Sequence, residues 1–111
     1  PLHRLIEFWL TEAGFRVELA CDGAEALEMI RADPPDLVIT DAMMPKLSGD
    51  ELVEIMKTDE DLAHIPIVMA TAAASPFRVE RMLERGCYAV LGKPLDEQSF
   101  VQAAKDALGL G

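Results

Sequence analysis

The sequence predicts an α/β fold, a parallel sheet with helices on both faces. Three observations carry this. Three short runs, Leu37-Val38-Ile39-Thr40, Ile67-Val68-Met69-Ala70 and Ala89-Val90-Leu91-Gly92, are apolar almost without interruption, as strands buried on both faces are. Stretches with apolar residues at helical spacing alternate with them. The connections are short, which suits right-handed crossovers between parallel strands.

Taken in order, Leu2, Leu5, Ile6, Trp9 and Ala13 recur at helical spacing, and Gly14 ends that first helix. Residues 15–20 alternate apolar and polar, which predicts a strand near a sheet edge. Asp22-Gly23 turns the chain. Ala24, Ala26, Leu27 and Ile30 mark a second helix, stopped by Pro34-Pro35. The strand ending at Asp41 follows. Ser48-Gly49-Asp50-Glu51 is a capping box, opening a helix with Leu52, Ile55 and Met56 inward. Pro66 leads into the strand that ends at Thr71. Ser75-Pro76 starts a helix with Val79, Met82 and Leu83 on one face, and Gly86 stops it. The strand before Lys93 comes next. Asp96 caps a last helix with Phe100, Val101, Ala104 and Leu108 inward.

The chain has 111 residues, enough for one domain, 1–111, and too few for two. Its formal charge is −10. That argues against direct binding to nucleic acid or to an anionic membrane surface, where phosphates need clustered Lys and Arg. No apolar run approaches the ~20 residues that span a bilayer. Cys21 and Cys87 lie in no CxxC, and His3 and His64 are isolated, so zinc is not indicated. The cysteines read as free, buried thiols of a cytoplasmic protein and the histidines as surface residues.

Asp41, Thr71 and Lys93 each end a strand of their own. Ligands of open α/β sheets bind just beyond such ends. A carboxylate there can attack phosphorus and form an aspartyl phosphate. A lysine supplies a point charge and a threonine one hydroxyl donor, the neutralisation and positioning on which phosphoryl transfer depends. Ala72 leaves room for the phosphate. Mg²⁺, which takes carboxylate and water oxygens in octahedral array, normally completes such a site.

At these residues the chain resembles the receiver domains of two-component response regulators. The matching stretches are Pro35-Asp36-Leu37-Val38-Ile39-Thr40-Asp41-Ala42-Met43-Met44-Pro45, Ser48-Gly49, Pro66-Ile67-Val68-Met69-Ala70-Thr71-Ala72 and Gly92-Lys93-Pro94-Leu95. Gly14-Phe15-Arg16-Val17 and the stretch from Asp22 to Leu27 match as well. The resemblance implies a flavodoxin-like sheet of order 2-1-3-4-5. It implies that Asp41 accepts a phosphoryl group from a histidine kinase or phosphotransfer protein, that Thr71 moves toward it, and that Lys93 pairs with it ahead of a cis Lys93–Pro94 bond. It also implies Mg²⁺ held by Asp41 and the backbone carbonyl of Met43. In that strand order Cys21 and Cys87 flank opposite sheet edges, four spacings or roughly 19 Å apart, too far for a disulfide.

Two departures stand out. The family begins with a strand ending in an acidic pair, whereas this chain opens at Pro1 on a helix. The expectation is an N-terminally incomplete domain with strand 1 absent and Mg²⁺ binding impaired. Many members also carry an aromatic residue three before the lysine. Here that place is Val90, with Tyr88 two residues earlier on the same strand face.

Three functions compete. The first is a phosphorylated switching module that assists its own phosphorylation without being an enzyme in the ordinary sense. The second is a degenerate receiver that only docks. The third is a phosphatase of the haloacid-dehalogenase type, which Met43 opposes because that family wants a second Asp there. The expected partner face joins the helix of Phe77, the Lys93 strand and the last helix. It serves a homodimer or an output partner, with Phe77 projecting opposite Val79, Met82 and Leu83.

Overall fold

The computed structural model describes residues 2–44, 46–72 and 74–110, with the side chains of Leu2 and His3 outside the description. The elements run α1 (Leu2–Glu12), α2 (Gly23–Ala32), β1 (Val38–Asp41), α3 (Gly49–Thr58), β2 (Ile67–Thr71), α4 (Pro76–Glu84), β3 (Ala89–Gly92) and α5 (Glu97–Ala107). The sheet has three strands in the order β1-β2-β3, all parallel. In register, Asp41 stands beside Ala70 and Thr71 beside Gly92. All three apolar runs of the sequence thus become strands, and their C-terminal ends share one edge of the sheet.

The predicted strand over residues 15–20 is not part of that sheet. Phe15 and Val17 turn inward as the alternation requires, but no ladder includes the segment. Alternation selects which side chains point inward. A strand also needs a neighbour to exchange hydrogen bonds with, and among the described residues this segment has none.

Helices cover both faces. On one, α2, α3 and α4 deliver Ile30, Leu52, Val53, Met56 and Met82 onto Val38, Ile67 and Met69. On the other, Trp9 and Leu10 of α1 meet Phe100 and Ala104 of α5, with Val17, Ile39 and Leu91 packed against them. The Trp9 and Phe100 rings lie 6.0 Å apart at a tilt of 48°. Burying a side chain of this size contributes roughly 1.5–3 kcal/mol. Two large side chains of the predicted apolar stripes are exposed: Leu5 at 44 % and Leu83 at 43 %. Each sits on the margin of its helix's apolar stripe, and the stripe is wider than the face its neighbours cover. Leu10, outside the predicted set, is buried instead.

The caps follow the sequence. Ser48 accepts from the Glu51 N–H while Glu51 reaches back to the Ser48 N–H, a complete capping box. Ser75 caps α4 ahead of Pro76. Asp96 caps α5 as expected, and Asp22, read in the sequence as part of a turn, caps α2. The Glu25 and Ser99 backbone N–H groups hold these two carboxyls below the usual carboxylate range. Gly14 and Gly86 take positive φ just past α1 and α4.

Cys87 is buried and Cys21 exposed, so only one of the two thiols fits the expectation of burial, and both are free. Cys21 follows the segment that does not join the sheet, and lies at the surface. His64 is exposed as expected. Among the described residues no helix is long and apolar enough to cross a membrane.

Candidate functional site

Asp41, Thr71 and Lys93 meet at the C-terminal edge of the sheet. Asp41 ends β1, Thr71 ends β2, and Lys93 follows β3. The Lys93 N–H donates to the Thr71 carbonyl at 2.9 Å, so the ladder continues up to the lysine and aims it. The Lys93 ammonium donates to Oδ2 of Asp41. Oδ1 of the same carboxylate accepts from the Met43 N–H at 3.1 Å. Both carboxylate oxygens are therefore engaged, one by a full charge and one by the loop that follows β1. The two side chains are 24 % and 26 % exposed, a carboxylate and an ammonium at the floor of an open edge. Thr71 is buried at 2 % exposure and Ala72 beside it is exposed. The Lys93–Pro94 bond is cis.

The loop after β1 is held from two sides. Gly49 packs so closely that a Cβ there would stand 2.2 Å from the Asp41 carbonyl oxygen. Its N–H donates to the Ala42 carbonyl at 3.1 Å. Gly23 approaches in the same way, a Cβ there falling 2.0 Å from the Leu47 carbonyl oxygen. Lys46, at φ 67°, pairs with Asp22 at 3.5 Å. Backbone against backbone at this range admits only glycine. The sequence signalled Gly49 in a capping box and Gly23 in a turn, and both in stretches matching the family, but not these close approaches.

Met43 is 82 % exposed. A thioether has no proton to give, so the general acid of a dehalogenase-type phosphatase is lacking at that place. Pro45 lies outside the described residues. Val90 packs against the first core cluster while Tyr88 is half exposed.

The donor set is small for a divalent cation. Mg²⁺ demands near-ideal octahedral oxygen ligation. Among the described residues no group of three His, Cys, Asp or Glu side chains could hold a metal ion. Asp41 is the carboxylate at this edge, and its two oxygens already serve Lys93 and Met43. These residues by themselves do not make a complete magnesium site.

A family model for the response regulator receiver domain matches residues 2–105. That match takes in nearly the whole chain and gives no support to the expectation of a truncated domain. The chain is 34 % identical over 106 residues to the polar-differentiation response regulator DivK of Brucella ovis, covering 96 % of this chain and 86 % of DivK. Among solved structures it is similar to the receiver domain of a signal transduction histidine kinase from Syntrophus aciditrophicus, with TM-score 0.88 and 30 % identity over 97 % of this chain and 82 % of that one. The chemotaxis response regulator CheY4 of Vibrio cholerae gives TM-score 0.88 and 28 % identity over 96 % and 89 % of the two chains. The receiver domain of a sensor histidine kinase from Pseudomonas aeruginosa, described with a magnesium ion coordinated in its active-site cleft, gives TM-score 0.86 and 26 % identity over 96 % and 88 %. A flavodoxin-like parallel sheet, three residues gathered at the C-terminal edge of that sheet and these similarities agree: the chain belongs to the response regulator receiver domain family of two-component signalling.

Proposed function

We propose that Asp41 is the phosphoacceptor, taking a phosphoryl group from a phosphohistidine of a histidine kinase or phosphotransfer protein. A carboxylate oxygen attacks phosphorus, the donor's P–N bond breaks, and an aspartyl phosphate forms. The observation that carries this reading is the Lys93 ammonium on Oδ2 of Asp41, which sets a positive charge where the phosphoryl oxygens must go. Thr71 ends the strand between them and is the residue to report the phosphate, with exposed Ala72 leaving the entry open.

Magnesium, when bound, neutralises phosphoryl oxygens. Of this chain's described residues, Asp41 and the Met43 carbonyl are the ligands to offer. That set is too small for tight binding, so the reading assigns charge neutralisation to Lys93. The alternative reading is a receiver that serves as a docking module without taking phosphate.

The partner face belongs to the same proposal. Phe77 is 73 % exposed on α4, with Leu83 on the same helix and Tyr88 just before β3 also uncovered. A large apolar ring as exposed as that of Phe77 suits a contact surface for an output partner or a second copy. The place of work is the cytoplasm, where histidine kinases hold their phosphoryl groups.

Mass spectrometry of the protein after incubation with acetyl phosphate and Mg²⁺ decides between the two readings. The expected result is one added phosphoryl group in the unaltered chain and none in Asp41→Asn, because an amide oxygen is a poor nucleophile. Equal uptake in both would remove Asp41 from the role, and no uptake in either would leave the docking module.

A further inference from the structure

The Arg78 guanidinium donates through Nη2 to Oδ1 of Asp50 at 2.8 Å. The two side chains are 27 % and 32 % exposed, so the pair is partly shielded from water. Each stands in the first turn of its own helix, Asp50 in α3 and Arg78 in α4. The first turn is the positive end of a helix. It suits Asp50 and opposes Arg78, and α4 has no acidic residue in that turn. Arg78 is therefore held by Asp50 and not by its own helix.

The two ends of this tie differ in their surroundings. On the α3 side, Gly49 lies against the Asp41 carbonyl and donates to Ala42, so Asp50 is fixed to the frame that carries Asp41. On the α4 side, Ala72, Ala74 and Ser75 between Thr71 and the helix are exposed.

We propose that Arg78 and Asp50 are a positioning pair for the loop joining Thr71 to α4, tying the start of α4 to the frame of the phosphoacceptor. The pair favours the arrangement described here over one in which Thr71 has shifted toward a phosphoryl group. A ligand shifts an equilibrium only by its differential affinity for the two states, so an ion pair present in one state alone biases that state. Partly exposed ion pairs are worth little, and the bias is a factor of about two to five, a restraint and not a lock. The inference rests on the reading of Asp41 as phosphoacceptor and Thr71 as reporter.

The test is a double-mutant cycle on the whole chain with Arg78→Gln, Asp50→Asn and both together. The first readout is amide hydrogen exchange at Ala72, Ala74 and Ser75 without any phosphate. Each single change is expected to speed exchange about two- to fivefold. The double variant should be no faster than either single, and Arg78→Lys should recover part of the protection. The second readout is phosphoryl uptake from acetyl phosphate with Mg²⁺. The rate at saturating donor should rise by the same factor, with the half-saturating donor concentration unchanged. Unchanged exchange in both singles, or effects that simply multiply in the double, would overturn the pairing. Exchange that responds while the uptake rate does not would overturn the link to Thr71. Absence of phosphoryl uptake in the unaltered chain would count against the phosphoacceptor reading instead, and the exchange cycle would still decide whether the pair restrains the loop.

Discussion

Lys93 reaches Asp41 across the full width of β2, from the strand on one side of it to the strand on the other. Two strand spacings come to roughly 10 Å. The charge pair thus brackets the strand that ends in Thr71. Lys93→Met keeps most of the apolar stem and removes the charge. Phosphoryl uptake is expected to slow by about a hundredfold, the usual loss for one preorganised charge-stabilising donor, with the fold retained. An unchanged rate, followed by mass spectrometry over time, would take Lys93 out of the neutralising role.

Gly49→Ala is expected to damage both stability and the site. The added Cβ meets backbone, the Asp41 carbonyl oxygen at 2.2 Å and the Ala42 Cα at 3.0 Å, so no side-chain rotation relieves it. Overpacking of this kind costs about 1–3 kcal/mol. Denaturant titration should show the loss, and uptake by Asp41 should fall with it. A variant as stable as the parent would mean that the loop yields freely.

Cys21 and Cys87 should differ sharply toward a thiol reagent. Burial pushes the Cys87 thiol up to about 11 from 9.0, and the thiolate is the reactive form. Two units leave about a hundredfold less thiolate than in an ordinary thiol at neutral pH. Cys21 is exposed. Labelling at pH 8 followed by peptide mapping should find Cys21 modified and Cys87 spared. The sign of the linkage follows from the raised value. The folded state holds the proton more tightly than the unfolded chain, so the Cys87 contribution is intact below pH 9 and is lost as the pH rises toward 11. Cys87→Ala should flatten that limb of the pH–stability curve.

Phe77→Ala should leave stability within about 0.5 kcal/mol, because the ring is mostly in water. Partner affinity or self-association should weaken by more than about 1 kcal/mol if the ring anchors a contact. Calorimetry with the cognate partner and sedimentation of the chain alone measure the two. No change in either would leave Phe77 an idle surface residue.

What the sequence disclosed, it disclosed through local patterns. The runs ending at Asp41, Thr71 and Lys93 name their strands by composition alone, and Ser48, Ser75 and Asp96 mark helix starts because a cap bonds within three residues of itself. Residues 15–20 misled for the opposite reason: their alternation is local, but a ladder is a relation with another strand. Leu5 and Leu83 misled because spacing shows a stripe and not how wide a neighbour will cover it. The Arg78–Asp50 pair, 28 positions apart, has no local sign at all. Nor has the Lys57 ammonium, which donates to the Ala63 and Ile65 carbonyls. At the candidate site, the meeting of Asp41, Thr71 and Lys93 was legible because two of them end strands and the third follows one. The second hold on Asp41, from the Met43 N–H, comes from loop geometry and was not.

β1 borders β2 on one side, and on the other it meets no strand among the described residues. The ladder with β2 sets the Asp41 backbone but not the tilt of its side chain. A residue on β2 would inherit its position from two ladders. The orientation of the Asp41 carboxylate is instead guyed by three separate stays: the Met43 N–H, the Lys93 ammonium and the close approach of Gly49. Slackening any one of them detunes the carboxylate without unfolding anything, so accuracy at this site is a matter of tension in a few tethers and not of stiffness in the sheet.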